Sequence, residues 1–147
     1  MSLSERLNDD MKTAMRNQDK FRLSVIRMLR ASIKNVEIDQ RRTLADNEVL
    51  EIIGRELKQR KDSLQEFEKA GREDLAEAVK AEIDIVVAYM PEQLSEAEIA
   101  EIVKQTIEEV GASSKADMGK VMAALMPKVK GRADGKLVNQ AVAQYLQ

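Results

Sequence analysis

The fold is decided by a stretch in the middle of the chain, residues 47–90, which reads NEVLEIIGRELKQRKDSLQEFEKA followed by GREDLAEAVKAEIDIVVAYM. Leucine recurs every seven residues in its first half, at Leu50, Leu57 and Leu64. A second apolar seam runs beside the leucines and is interrupted by Arg60. Apolar residues at these spacings lie on one face of an α-helix. The pattern predicts a long helix that is capped by Asp46 or Asn47 and ends near Ala70.

The second half of this stretch predicts a partner helix that runs back along the first. Gly71 suits the position after a helix end, because glycine adopts the left-handed conformation found there. Apolar residues then follow at helical spacing over residues 72–90, at Leu75, Val79, Ile83, Val86 and Met90. Two helices joined by so short a turn form an antiparallel hairpin.

Two more helices are predicted on the N-terminal side of the hairpin. Ser2 and Glu5 match a capping box for a helix over residues 3–17. A longer helix is expected over residues 20–38. Its apolar stripe is formed by Phe21, Val25, Ile26, Met28, Leu29, Ile33 and Val36. Together these elements predict a four-helix N-terminal region, residues 1–91.

Pro91 marks the boundary of a second region, residues 95–147, for which three helices are predicted. Ser95 and Glu98 match a second capping box, and a helix is expected over residues 96–110. Strand periodicity is absent along the chain, since the apolar spacing is three and four throughout. The sequence therefore predicts an all-α, multihelical fold, with a four-helix N-terminal subdomain followed by a three-helix C-terminal subdomain.

The last two predicted helices are joined by a short basic connection. The first of them covers about residues 115–126 and is ended by Pro127. Gly119 lies inside it, and close helix packing is the simplest reason for a glycine there. The last helix starts after Asp134 as its N-cap. Its predicted buried residues are Leu137, Val138, Ala141, Val142 and Leu146.

The composition excludes several kinds of chemistry. The 147 residues include no Cys and no His, which excludes a disulfide framework, a zinc ribbon and His-dependent nucleophilic catalysis. Aromatic residues make up only 3%, so the core is expected to be aliphatic. No glycine-rich phosphate-binding motif is present, and we predict no catalytic residues, no metal site and no cofactor. The first residues, MSLSERLNDD, lack an apolar signal segment and no run of about 18 apolar residues follows, so we expect a cytoplasmic protein without a membrane span.

The formal net charge of −2 conceals a gradient along the chain. Residues 1–34 carry eight basic and four acidic groups, and residues 112–147 carry six and two. The stretch between them is acidic: residues 35–94 carry nine basic and fifteen acidic groups, and residues 95–111 carry one and five. Two basic ends that flank an acidic middle point to a polyanionic partner.

Basic residues form two candidate sites for nucleic acid. The first lies around the last connection, at Lys120, Lys128, Lys130, Arg132 and Lys136. Lysines beside glycines, next to the N-terminus of a helix, suit sequence-independent phosphate contacts. The second set consists of Arg16, Lys20, Arg27, Arg30 and Lys34. The alternative for each set is an ordinary solvated surface. No aromatic residue interleaves either set, so base stacking is not expected.

Short motifs along the whole chain resemble one known family. Residues 118–122 (MGKVM) and 130–138 (KGRADGKLV) resemble the signature of the YqeY-like family, also called GatB/YqeY. The same module is similar to the tail domain of the B subunit of the glutamyl/aspartyl-tRNA amidotransferase. Further matching stretches are residues 23–30 (LSVIRMLR), 58–63 (KQRKDS), 67–75 (FEKAGREDL) and 89–91 (YMP).

The resemblance implies a fold of four helices followed by three, and a link to tRNA. In the amidotransferase the tail domain is associated with holding tRNA, whereas the amidase and kinase chemistry resides in other domains and another subunit. The leading hypothesis is therefore a stand-alone accessory module that binds tRNA. One alternative is the carbon–nitrogen ligase activity, with glutamine as amido-N-donor, that is associated with the family. Another is a protein-interaction module that docks on an aminoacyl-tRNA synthetase or an amidotransferase subunit.

Overall fold

The computed structural model describes residues 1–146, which form seven α-helices, one short 3₁₀ helix and no strand. The α-helices, numbered in chain order, are α1 (Leu3–Arg16), α2 (Lys20–Gln40), α3 (Asp46–Lys69), α4 (Glu73–Val87), α5 (Glu96–Val110), α6 (Met118–Val129) and α7 (Gly135–Tyr145). The 3₁₀ helix, Lys115–Asp117, comes directly before α6. The predicted all-α, multihelical fold class is confirmed. The Cα positions group into two compact units, Met1–Met90 and Pro91–Gln147.

The N-terminal unit contains the α3–α4 hairpin that the leucine repeat predicted. α3 ends at Lys69 with Ala70 as its C-cap, and Gly71 takes a φ of +70°, the left-handed conformation that closes the turn. Leu50 and Leu64 are only half-buried, at the edge of the apolar face of α3. The buried apolar residues of this helix are Val49, Ile52, Ile53 and Leu57. The leucine repeat thus identified the helix correctly and placed its buried face about one residue off.

The core of the N-terminal unit is aliphatic, as the composition predicts, and Tyr89 is its aromatic member. α2 supplies the buried residues Val25, Ile26, Leu29 and Ile33. Phe21 is 43% exposed, so its assignment to the apolar stripe of α2 is wrong. It lies four residues before Val25, at the edge of the buried face. No helix in residues 1–146 combines the length and the apolarity that crossing a membrane requires.

Helix caps in this unit follow the sequence in one case and depart from it in another. The capping box of Ser2 and Glu5 is present at the start of α1. α3, by contrast, has Ala45 as its N-cap, so the predicted cap at Asp46 or Asn47 is wrong. The Asp46 carboxylate instead accepts a hydrogen bond from the Leu3 amide at 3.0 Å and so ties the start of α3 to the start of α1.

A charged pair reinforces the start of α3. Glu48 accepts a hydrogen bond from the Ala45 amide at 3.1 Å and two from the guanidinium of Arg42. The Arg42 hydrogen bonds, followed by the Ala45 amide, lower the pKa of Glu48 to about 2. The carboxylate in the first turn also interacts favourably with the helix dipole.

α4 ends at Val87, three residues earlier than predicted. The amides of Tyr89 and Met90 bond to the carbonyls of Val86 and Val87 at 3.1 and 3.0 Å, in a turn tighter than an α-helix. Pro91 follows, and its ring disfavours helical dihedral angles at the preceding residue.

The C-terminal unit packs α5, α6 and α7 around a second aliphatic cluster. Its fully or nearly fully buried residues are Ile99, Val103, Val121, Leu125, Val129, Val138, Val142 and Leu146. The capping box of Ser95 and Glu98 opens α5 as predicted, and Gly111 ends it with a φ of +65°. Asp134 caps α7, also as predicted.

Pro127 does not end α6, contrary to the prediction, and the helix continues to Val129. Proline removes the hydrogen bond to the carbonyl of Ala123, and Ala123 is exposed. Two features hold the last turn in place: Val129 is only 1% exposed, and the Lys130 amide bonds to the Met126 carbonyl at 2.9 Å.

Two further sequence assignments in this unit are wrong. Leu137, expected in the core, is 42% exposed. α7 buries Val138 and Val142, and Leu137 lies about 100° around the helix from Val138. Close packing is not the reason for Gly119 either, because a Cβ there would have no neighbouring atom within 4 Å.

Candidate nucleic-acid interface

The five basic residues predicted for the first site lie on two helices and the connection between them. Lys120 is in the first turn of α6, and Lys128 is near the end of that helix. Lys130 and Arg132 lie in the connection, and Lys136 is the second residue of α7. These five side chains differ in whether they are hydrogen-bonded or ion-paired within the protein.

Lys128 is held by α5. Its Nζ donates to Oε2 of Glu109 at 2.7 Å and to the hydroxyl of Thr106 at 3.0 Å. Thr106 is fully buried, and its hydroxyl donates in turn to the Ile102 carbonyl at 2.8 Å. A lysine paired with a carboxylate has a reduced net charge to offer a phosphate, so Lys128 contributes mainly to the packing of α6 on α5.

The connection is fastened to the segment before α5. The Leu94 amide donates to the Arg132 carbonyl at 2.8 Å, and Nε2 of Gln93 donates to the Gly131 carbonyl at 2.9 Å. Arg132 is half-buried, and its Nε donates to the Glu92 carbonyl at 3.3 Å. Gly131 has a φ of +76°, so the turn itself requires a glycine there.

Lys120 and Lys136 are exposed, and their ammonium groups have no hydrogen bond or ion pair within residues 1–146. Each has an acidic residue nearby in sequence. The pKa of Asp117 is lowered chiefly by the hydrogen bond that it accepts from the Ser113 amide, and Lys120 adds a smaller effect. The carboxylate of Asp134 accepts from the Lys136 amide at 2.9 Å. The N-terminus of α7, expected to bind an anion, is thus already capped by a carboxylate of the chain itself.

Two glycines stand directly before these two free lysines. In the described part of the chain, a Cβ on Gly119 or Gly135 would meet no atom within 4 Å beyond the adjoining residues and its own helix backbone, and neither residue has a positive φ. Neither turn geometry nor packing within the unit therefore requires glycine. Glycine in a helix costs up to about 1 kcal/mol of stability relative to alanine. The two glycines therefore lower the free energy of unfolding, and no contact or turn within the unit explains why they are there.

The second predicted set lies on the first two helices. Arg16 is in the last turn of α1. Arg30 is half-buried, and its NH1 contacts the sulfur of Met11 at 2.9 Å. The remaining three, Lys20, Arg27 and Lys34, are exposed, and their side chains have no hydrogen bond or ion pair in the described part of the chain.

Sequence reasoning missed a buried charged network in the N-terminal unit. Arg60, which had appeared only as an interruption of an apolar seam, is 8% exposed. Its NH1 donates to Oε2 of Glu56 at 2.8 Å, and its Nε lies 3.7 Å from Oε1 of Glu82. Glu56 also accepts from the Ser32 hydroxyl at 2.8 Å. The sequence held a signal, an arginine in an apolar seam, but the partner Glu82 lies on another helix.

No group of acidic residues suited to holding a metal ion occurs within residues 1–146.

The exposed groups at the candidate interface are ammonium groups and glycine backbone. This chemistry suits electrostatic contact with phosphate oxygens, which positions a nucleic acid without reading its bases.

Comparison with known proteins gives a single family. A model of the family described as Yqey-like protein matches residues 4–146. A relative named "Altered inheritance of mitochondria protein 41, mitochondrial" from Pyrenophora tritici-repentis is 34% identical, over 96% of this chain and 79% of its own length. Its namesake from Lachancea thermotolerans is 38% identical over 74% of this chain, and the chain spans 59% of that relative's length. For the Saccharomyces cerevisiae protein of the same name the identity is 34%, over 88% of this chain and 69% of the relative.

These relatives contradict the expected cytoplasmic location, because all three are named as mitochondrial proteins. That expectation rested on the missing apolar signal segment. The criterion does not separate cytoplasmic from mitochondrial proteins, because mitochondrial targeting segments are amphipathic and rich in Arg and Ser rather than apolar. The assignment to the cytoplasm is therefore wrong.

Proposed function

Since the chain belongs to the YqeY-like protein family, we propose that it is a helical accessory protein that binds tRNA through its C-terminal unit. The contacts are made by Lys120 and Lys136, with the backbone at Gly119 and Gly135 close to the phosphates. Lys130 and Arg132 lie between them along the chain and add to the positive charge. The similarity to the amidotransferase tail domain supplies the class of partner.

The observation that carries the proposal is the empty space around the two glycines. Gly119 and Gly135 each precede a free lysine, and within residues 1–146 no atom lies within 4 Å of a Cβ at either, apart from the adjoining residues and the nearby backbone of the same helix. A partner that approaches the backbone closely is a physical reason for glycine where the free protein has none. A phosphate group fits, because the adjoining ammonium group is one of its usual partners.

Replacing both free lysines, Lys120→Gln with Lys136→Gln, is expected to weaken binding of the full chain to bulk tRNA. The loss should be similar for every tRNA, because phosphate contacts carry no sequence information. Two lost contacts should also reduce the slope of log affinity against log salt by about 1.8. Fluorescence anisotropy at several salt concentrations measures both quantities.

The matched control for this pair is Lys104→Gln with Lys115→Gln, which removes the same charge from exposed positions in the same unit. Equal affinities for the two pairs would contradict the assigned contacts, and a wild-type chain that does not bind tRNA would end the proposal. Release of ammonia from glutamine by the purified chain would instead favour the ligase alternative. Capture of a synthetase that survives nuclease treatment would favour a docking module.

Replacing the glycines, Gly119→Ala with Gly135→Ala, is expected to act in opposite directions on stability and binding. Alanine has the better helix propensity and open space, so the free energy of unfolding should rise by up to about 1 kcal/mol per site. A methyl group between backbone and phosphate should weaken tRNA binding. Urea denaturation and anisotropy measure the two effects on the same samples. A gain in stability with unchanged affinity would mean that no partner approaches these glycines.

A further inference from the structure

The first two-thirds of α2 carry positive charge only. From Lys20 to Lys34 the helix has five basic residues and no acidic residue. Two of the five are engaged elsewhere: Arg22 pairs with the N-cap Asp19, at 3.4 Å, and Arg30 is half-buried against Met11. The other three, Lys20, Arg27 and Lys34, are exposed cations whose side chains have no partner within residues 1–146. We call these three residues the α2 stripe.

The members of the α2 stripe are seven residues apart and therefore follow one line along the helix. Each step of seven residues turns only about 20° around the helix. At 1.5 Å per residue the three charges are spaced by about 10.5 Å and extend over about 21 Å. The exposed residues that lie between them on this face include Ser24 and Ala31, which are small. A long, regular partner surface can thus reach all three cations.

The outer face of α3, unlike this face of α2, carries charges of both signs. Its exposed cations Arg55, Lys58 and Lys69 share one side of the helix with the exposed acids Glu51, Asp62 and Glu66. Mixed charges of this kind are what solubility and helix stability favour, because oppositely charged neighbours stabilise a helix. In the α2 stripe, Lys20 and Arg27 have no acidic residue three or four positions away. Lys34 has one, Glu37, whose carboxylate accepts a hydrogen bond from the Leu44 amide at 3.0 Å.

The charges of α2 are also placed unfavourably for the helix itself. Lys20 and Arg22 lie in its first turn, which has no acidic residue, and its last turn has no basic residue. The helix dipole disfavours cations at the N-terminus, by about 0.3–1 kcal/mol per charge at exposed positions. The helix dipole therefore does not explain Lys20, the member of the α2 stripe that lies in the first turn.

We propose that the α2 stripe binds the phosphate backbone of double-helical RNA, as a contact surface of the N-terminal unit. The proposal rests on the proposed function for the identity of the polyanion, but uses residues of a different unit. An anionic membrane suits the surface less well, because the apolar face of α2 is buried in the core, and its exposed large apolar residues, Phe21 and Ile38, lie near opposite ends of the helix rather than on one continuous face. A duplex backbone repeats its negative charge without interruption over the 21 Å or so that the α2 stripe covers.

The test uses the full chain and a 20-base-pair RNA duplex of arbitrary sequence as the probe. The triple variant Lys20→Gln, Arg27→Gln and Lys34→Gln is expected to bind at least about tenfold more weakly near 0.1 M salt. Its salt slope should be flatter by about 2.7, which corresponds to three lost phosphate contacts. Glutamine has a helix propensity close to that of lysine and arginine, so α2 should stay intact, as circular dichroism can check.

Two matched controls accompany this variant. Arg55→Gln, Lys58→Gln and Lys69→Gln remove the same charge from the mixed face of α3 and should change affinity and slope far less. Lys20→Arg, Arg27→Lys and Lys34→Arg keep the charge and should bind like the wild type. If the α2 and α3 variants lose affinity equally, net charge rather than the α2 stripe governs binding, and the inference is overturned.

The outcomes separate this inference from the proposed function. If the Lys120/Lys136 variant loses affinity and the α2 variant does not, the C-terminal contacts stand and the α2 stripe is only a solvated face. The reverse result leaves the α2 stripe in place and removes the C-terminal contacts. If the wild type binds neither tRNA nor the duplex, both are overturned. Binding to vesicles of anionic lipid but not to RNA would assign the α2 stripe to a membrane surface and overturn the inference as well.

Discussion

Replacing Arg60 by alanine is expected to lower the free energy of unfolding by about 3 kcal/mol, the cost typical of breaking a buried ion pair. The side chain of Arg60 is 10% exposed, and those of its partners Glu56 and Glu82 are 18% and 29% exposed. Without the guanidinium, the carboxylates of Glu56 on α3 and Glu82 on α4 lose the cation that they share in a poorly hydrated site. Both retain some contact with water, which places the expected loss at the lower end of the range.

The arrangement around Arg60 is stabilising only as a complete set. Its NH1 bonds to both the side chain and the carbonyl of Glu56, at 2.8 and 2.9 Å, while its buried Nε has no hydrogen-bond partner. A buried donor without a partner costs about 1–3 kcal/mol. We therefore expect that removing the charges together costs little. Arg60→Met combined with Glu56→Gln and Glu82→Gln should regain most of the stability that Arg60→Ala loses.

Urea denaturation of the full chain, followed by circular dichroism, measures these differences. The control is Gln59→Ala, an exposed neighbour on α3, which should change the free energy of unfolding by less than about 0.5 kcal/mol. A loss below 1 kcal/mol for Arg60→Ala would show that the network does not hold α3 and α4 together. A triple variant as unstable as Arg60→Ala would show that the size of the arginine matters more than its charge.

The features that sequence reasoning predicted correctly are those stabilised by neighbours in the sequence. The capping boxes at Ser2 and Ser95 close over three residues, and each serine hydroxyl accepts its amide hydrogen bond at 3.1 Å. Gly71 and Gly111 end their helices for an equally local reason, a positive φ. Seven helices and an aliphatic core follow from apolar spacing and composition alone.

Contacts between residues that are distant in sequence were not predicted. Asp46 was expected to cap α3 but bonds to Leu3, 43 positions away. The ion pair between Lys128 and Glu109, 19 positions away, was likewise not evident from the sequence. A local sequence pattern identifies a charged side chain and the helix that carries it. It does not identify the oppositely charged residue that the tertiary fold places beside that side chain.

At the candidate interface, too, the sequence predicted the local features but not the tertiary contacts. The basic character of both sets was evident from the sequence, whereas the free charge within each set was not. In the second set the structure leaves Lys20, Arg27 and Lys34 free and engages Arg30 against Met11. The empty space beside Gly119 was the reverse of the expected close packing. The spacing of residues along a helix predicts on which side of the helix each one lies. It does not predict whether another helix packs against that side.

The largest expected effect of pH concerns Tyr89, which fastens the end of α4 to α1. The ring is 5% exposed, and its hydroxyl donates to Oδ2 of Asp10 at 2.5 Å. The guanidinium of Arg6 lies 4.7 Å from the ring centroid and also donates to the Ala88 carbonyl at 3.0 Å. Burial, followed by the hydrogen bond to Asp10, raises the pKa of Tyr89 far above its ordinary value of 10.0.

A raised pKa means that the folded chain keeps the phenol proton when the unfolded chain has already lost it. The stabilisation by Tyr89 is therefore complete below about pH 10 and declines as the pH rises further. The slope for one retained proton approaches about 1.36 kcal/mol per pH unit. Physically, a phenolate would be buried beside the Asp10 carboxylate, and the nearby Arg6 offsets that repulsion only in part.

Tyr89→Phe separates this effect from the other groups that titrate at high pH. At pH 8 the variant should be less stable than the wild type by about 1 kcal/mol, because a hydrogen bond to a partly exposed carboxylate is lost. Above pH 10 the wild type should lose stability faster, so the two curves converge and then cross. Urea denaturation at pH 8, 9, 10 and 11 traces both, and Tyr145→Phe, which removes the hydroxyl of an exposed tyrosine, is the control variant. Parallel curves for the wild type and Tyr89→Phe would mean that Tyr89 loses its proton as readily in the folded chain as in the unfolded one, which contradicts the raised pKa. Equal stabilities at pH 8 would mean that its hydrogen bond to Asp10 is no stronger than one to water.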